Sequence, residues 1–213
     1  MTQKDEILQT SYSDILAIFP EYADQFNAKE MFEIASGASH GSGAPLQVVG
    51  QNLSMPGNAP QTTIEGLTNC QVAIAAVVVE AIFFVLTLMG IFIRCRQELL
   101  RYVRRLPPST LNGFQQYIRA ISQAQSVFDK AKAVAAFVGS IYKAGGFKLL
   151  YRAIRDVTTD PWEAYLIGLQ IAAQITFWLA TGMVKFIAEI VAAGVALGLL
   201  VKHCVEANHV CKG

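Results

Sequence analysis

The chain predicts an all-α fold: a bundle of long, largely apolar helices with a short helical acidic N-terminal region. Three observations lead there. Residues 72–93 and 161–201 are apolar almost throughout, and both lack the alternation and turn residues of strands. Helix-start signals precede both: Thr62 with Glu65, and Asp160 with Pro161 and Glu163. Composition agrees, with 53% hydrophobic and 15% charged residues among 213 and a mean hydropathy of +0.38. A charged share so far below the usual ~25% leaves little polar surface to coat a globule. It excludes a disordered chain and makes an ordinary soluble enzyme a poor fit. A net charge of only +1 argues against nucleic acid as a partner.

Three regions follow in order. Residues 1–36 form an acidic helical leader. Ile7, Leu8, Tyr12, Ile15 and Leu16 recur at helical spacing, Pro20 ends that run, and a second short helix is expected over 21–34. Residues 37–62, rich in Gly, Pro and Ser, form a linker or surface loop. Residues 63–213 are an apolar long-helix bundle that interacts with membrane. Its first helix is expected to run about 43 residues to Pro107-Pro108, some 65 Å. A second covers 109–144, with Phe114, Ile118, Ile121, Val127, Phe128, Val134, Val138 and Ile141 as its apolar stripe. Gly145-Gly146 ends it, and a short basic amphipathic piece follows over 147–157. The last helix, 161–203, is again about 43 residues; that is twice a bilayer, so it breaks, most readily at Thr181-Gly182, or projects beyond the membrane.

Charge is distributed unevenly. Residues 1–66 hold two lysines against eight acids, a net −6, and residues 67–213 carry a net +7. Either the leader docks on the basic body and masks it, restraining insertion until released, or it is simply a solvated polar region.

Residues 72–93 would span about 33 Å as a helix, close to the thickness of a bilayer core. Arg94, Arg96, Arg101, Arg104 and Arg105 follow at once, with Glu98 the one acid among them. Arginines beside an apolar span suit anionic head groups or the cytoplasmic side of a membrane. The alternative is the central helix of a soluble bundle. Val72, Val79, Phe83, Phe84, Leu88 and Phe92, with Ile171, Phe177, Trp178 and Phe186 from the last helix, are the expected membrane-inserting residues. Arg94, Arg96, Arg101, Arg104, Arg105, Lys148, Arg152 and Arg155 are the expected head-group contacts.

Each apolar helix carries a narrow polar line. Glu80 aligns with Asn69, Ala73, Ala76, Thr87, Gly90 and Arg94, a small or polar face suited to close helix approach. On the last helix Glu163, Gln170, Gln174, Thr181, Lys185 and Glu189 fall in one sector. Such a seam suits polar pairing between helices or a narrow aqueous path. Lys185 and Glu189 are i, i+4 neighbours, and a Glu80–Lys185 pair is expected if the two apolar helices run parallel.

Four cysteines are too few for a disulfide scaffold. His203, Cys204, His209 and Cys211 are weak zinc candidates because their spacing matches no common finger; a Cys204–Cys211 disulfide or free thiols are the plainer readings. Gly41, Gly43 and Gly50 sit in the linker and form no phosphate loop, and neither a His-Glu-x-x-His motif nor a nucleophile elbow is present. No cofactor and no catalysis are expected. No signal peptide is read at the N-terminus, so cytoplasmic origin or non-classical release is expected.

The expectation is therefore a membrane-associated helical protein that inserts, self-associates in the bilayer as a homo-oligomer and forms a pore. In layout alone it resembles α-helical pore-forming toxins. The alternatives are an integral membrane subunit or scaffold with two to four spans, and a soluble helical module that binds a lipid or a partner helix. A protein partner that masks the apolar helices is a further expectation.

Overall fold

Every regular element among the described residues is helical. A computed structural model describes residues 3–24, 27–30 and 66–212. The helices are α1 (Gln3–Leu16), α2 (Asn69–Leu88), α3 (Arg96–Val103), α4 (Pro108–Gln123), α5 (Val127–Lys143), α6 (Gly146–Val157), α7 (Pro161–Ala180), α8 (Val184–Ala192) and α9 (Gly194–Val210). The all-α fold is as expected; the lengths of its helices are not.

The first long helix begins at a different cap. Thr68 accepts from the backbone N–H of Gln71, and the Gln71 side chain accepts from the N–H of Thr68, a reciprocal capping box. The expected box at Thr62 and Glu65 lies outside the described residues. Nor does this helix reach Pro107. Gly90 adopts φ +69°, its N–H bonds the Thr87 carbonyl, and the Ile91 N–H bonds the Leu86 carbonyl. This pair of bonds terminates a helix when the residue past its cap is left-handed, which glycine adopts without a Cβ clash. Ile91, Phe92 and Ile93 therefore lie in a turn, and the arginine-rich segment starts a separate helix.

The expected 109–144 helix is two. Ala124 is extended, and the Ser126 hydroxyl accepts from the Asp129 N–H at 3.0 Å to start α5. α7 starts where expected, with the Asp160 carboxylate accepting from the Trp162 N–H at 2.9 Å and Pro161 at the first helical position. It breaks at Thr181-Gly182, also as expected, because Gly182 is left-handed at φ +64° and the Met183 N–H returns to the Trp178 carbonyl. The chain bends by 112° there, and a further break at Ala193 separates α8 from α9. In the leader, Pro20 opens a 3-10 turn, Pro20–Tyr22, at the start of the expected 21–34 helix; residues 28–30 are helical, and residues 25, 26 and 31–34 lie outside the described residues.

Packing separates the two apolar helices. α2 packs on α4 and α9, with α3 and α5 completing its surround. α7 packs mainly on α1 and α6. α5 contacts α4, α6 and α8, and α3 contacts α6, so these elements join the two groups. Ile74, Val78, Ile82, Val85 and Leu86 of α2 are fully or almost fully buried. α6 buries Phe147, Leu150, Tyr151 and Ile154 on one side and carries its cations on the other.

Candidate membrane-interaction site

α2 is, among the described residues, the one helix both long and apolar enough to cross a bilayer, and 61% of its most apolar stretch is buried inside the bundle. The bent pairs α5–α6 and α7–α8 reach that length and apolarity only if each is taken as one span. Of the expected inserting residues, Val79, Phe84, Ile171, Trp178 and Phe186 are buried core, while Val72, Phe83, Leu88 and Phe177 are half-buried. Phe92 is different: it stands 68% exposed in the turn between α2 and α3.

The line of small and polar residues on α2 faces outward. Asn69, Ala76 and Thr87 are exposed, and Ala73 and Glu80 are half-buried. Glu80 does not meet Lys185. Its carboxylate accepts from the guanidinium of Arg96, the first residue of α3, which also lies over the Phe83 ring at 5.3 Å. Lys185 instead sits over the Phe177 ring at 4.7 Å. Lys185 stands on α8, which packs mainly on α5 and not on α2, so the expected pair has no geometry to form. The second polar line is also divided, since the 112° bend turns Lys185 and Glu189 away from the direction of Gln170 and Gln174. Thr181 spends its hydroxyl on the Phe177 and Trp178 carbonyls of its own helix.

The arginines split by partner. Arg94, Arg101 and Arg105 are exposed and Arg104 is half-buried. Arg152 lies over the Tyr102 ring at 5.5 Å, and the Tyr102 hydroxyl donates to Asp156, a bond that raises the phenol pKa above its ordinary value. Lys148 and Arg155, expected at lipid head groups, are engaged by the leader: Lys148 pairs with Asp14 at 3.4 Å and Arg155 with Glu21 at 3.0 Å. Arg155 also donates to the Ile18 carbonyl and lies over the Phe19 ring at 5.4 Å.

The leader therefore docks on the body. Tyr12, Ile15 and Phe19 are buried, and Phe19 meets Tyr165 edge-on at 5.8 Å. The Ser11 hydroxyl bridges two helices, 2.9 Å from the Tyr142 hydroxyl of α5 and accepting from Thr176 of α7 at 2.8 Å. The Phe19 and Tyr151 rings lie on Gly168 of α7, 3.7 and 3.8 Å from where a Cβ would stand, an ordinary packing contact. The sequence shows the charge that favours this docking; the hydroxyl bridge carries no sequence signal.

The cysteines pair otherwise than expected. Cys70 and Cys211 form a disulfide across 141 residues, tying the start of α2 to the end of α9. Cys95 and Cys204 are buried free thiols. Cys211 is committed to Cys70 and Cys204 is buried, so the weak zinc candidates His203, Cys204, His209 and Cys211 do not converge; among the described residues no three His, Cys, Asp or Glu side chains gather into a metal site. Also unforeseen is an exposed apolar side on α8 and α9, where Val184, Val191, Val195 and Leu199 face outward.

The chain matches no protein-family model, and neither a curated protein nor a solved structure matches it.

Proposed function

We propose that this is a membrane-inserting α-helical protein that self-associates in the bilayer and forms a pore. One observation carries the reading: a helix of membrane-spanning length and apolarity has most of its apolar surface covered by shorter, mostly amphipathic helices. Such a cover keeps a span in solution and releases it when a bilayer offers an equivalent apolar environment. Phe92 and the exposed Arg94, Arg101 and Arg105 suit the interface, an aromatic wedge beside cations that meet phosphate. On this reading the protein is membrane-associated, acts as a homo-oligomer and performs no catalysis. The Cys70–Cys211 disulfide supports its release into an oxidising setting.

Dye release from liposomes tests the reading. Leakage that rises more steeply than linearly with protein concentration is expected. No leakage at any lipid composition would reject it. The apolar outer side of α8 and α9 favours a second reading, an integral protein embedded from the outset. Phase partitioning separates the two: an inserting protein is soluble without detergent, and an integral one is not.

A further inference from the structure

We propose that the cationic side of α6, together with Arg101 of α3, is a docking surface for an anionic phospholipid bilayer, and that α1 and the turn after it occupy this surface in the free protein as a displaceable stand-in for the head groups. This rests on the membrane reading above and names its partner and its restraint.

Lys148, Arg152 and Arg155 are spaced by four and three residues, which places them along one side of α6. Two of the three hold carboxylates of the leader, Asp14 and Glu21. The third lies over Tyr102, whose hydroxyl takes up Asp156, the one acid on α6. Arg101, exposed on α3, directly precedes Tyr102 in the chain and adds a free-standing cation to that helix. A row of cations that binds carboxylates also binds phosphates, because both are anionic acceptors of N–H donors.

The two leader pairs are built to exchange. Their side chains are between 28% and 42% exposed, so water and salt screen them. An anionic surface acts on both partners in the same sense: it attracts the α6 cations and repels a leader that carries Asp5, Glu6, Asp14 and Glu21. What lies beneath the leader decides the kind of partner. Phe19 lies against Tyr165 and Gly168 of α7, and α1 packs along that helix, whose Tyr165, Ala172 and Ile175 are buried. Lifting the leader would expose that surface directly beside the cations. A bilayer interface supplies phosphates and acyl chains side by side, whereas a soluble phosphate ester or a nucleic acid supplies only charge.

The test uses the full chain with phosphatidylcholine vesicles, with and without phosphatidylglycerol. It follows sedimentation with vesicles and protease cleavage within residues 3–22. Wild-type protein is expected to sediment only with the anionic vesicles and to become cleavable only in their presence. Asp14→Asn with Glu21→Gln should lower the anionic lipid needed several-fold. Lys148→Gln with Arg155→Gln should make the leader cleavable without vesicles and still weaken vesicle binding several-fold. A mere clamp would bind vesicles better in that second variant, and that result overturns the proposal, as does equal sedimentation of wild-type protein with both vesicles or with neither. Soluble glycerol phosphate releasing the leader as fully as vesicles do would replace the bilayer with a small anion and so overturn it as well. All four substituted side chains are partly exposed, and circular dichroism of the variants checks the fold. Dye release is scored separately. Wild-type binding without leakage removes the pore and leaves the docking surface; leakage unaffected by Lys148→Gln with Arg155→Gln does the reverse.

Discussion

Cys70 and Cys211 are joined across 141 residues, fastening the N-terminal turn of the most apolar helix to the C-terminal end of the chain. The bond closes nearly the whole body into one loop, so it removes much of the freedom of the unfolded state. Disulfides stabilise by about 2–4 kcal/mol in typical cases, with long loops towards the upper end. Cys70→Ala with Cys211→Ala is expected to lose that much, read as a lower denaturant midpoint. Reductant should shift the wild-type midpoint to the same place and leave the variant unmoved.

The Ser11 hydroxyl sits between Tyr142 and Thr176, with Ser11 and Thr176 both buried. Ser11→Ala removes the shared partner of two hydroxyls, one of them fully buried, and is expected to cost about 1–3 kcal/mol. Thr176→Val keeps the shape and leaves Ser11 bonded to Tyr142, so it should cost less. A double-mutant cycle by urea denaturation checks this; the Thr176→Val effect should largely vanish in the Ser11→Ala background.

These two contacts mark how far the sequence reaches. Asp160-Pro161 and the break at Thr181-Gly182 are legible because caps and glycine act within a few residues. The small and polar side of α2 is legible because Asn69, Ala73, Ala76, Glu80 and Thr87 share it at helical spacing, but the pattern points to close helix approach, and that the side faces outward is not legible. The stop at Gly90 is only weakly legible, since a glycine inside an apolar run does not show whether it will turn left-handed. Ser126 with Asp129 is a readable cap, but the apolar stripe that continues across it hides the break. Which cysteines pair, and that Glu80 finds Arg96 and not Lys185, depends on which helices become neighbours, and local pattern does not encode that. The net charges of leader and body favour docking but do not choose Asp14 for Lys148 or Glu21 for Arg155.

Two glycines should respond to alanine with opposite signs. Gly182 is left-handed at φ +64° with open space about its Cβ direction, so Gly182→Ala meets no clash but forces a strained backbone, at about 1–2 kcal/mol. Gly198 lies within α9, also in open space, and Gly198→Ala should stabilise by about 0.5–1 kcal/mol through lower unfolded-state entropy. For a chain of this size each kcal/mol moves the thermal midpoint by roughly 2–4 °C. Calorimetry should show one variant below the wild type and the other above it.

The two free thiols report on opening of the bundle. Burial pushes Cys95 up to about 12, with the nearby Glu98 carboxylate adding to the shift, and burial alone pushes Cys204 up to about 12. Both are acids whose folded pKa lies above the ordinary value of 9.0, so the native state keeps protons that the unfolded state releases as pH rises past 9. Their contribution to stability is therefore complete at neutral pH and is lost as pH climbs from about 9 towards 12. At pH 8 the thiols are protonated and shielded, and a thiolate is the species that alkylates. Iodoacetamide should leave native protein unlabelled, label two cysteines in denaturant, and label four once reductant is added, as read by mass spectrometry. Cys95 lies in the turn that follows α2, and Cys204 is buried on α9, which packs against α2. If α2 leaves the bundle to enter lipid, vesicles that support leakage should render both thiols reactive at pH 8 without denaturant. Continued protection of both during leakage would mean that α2 stays where it is, and that the bilayer is breached by other helices.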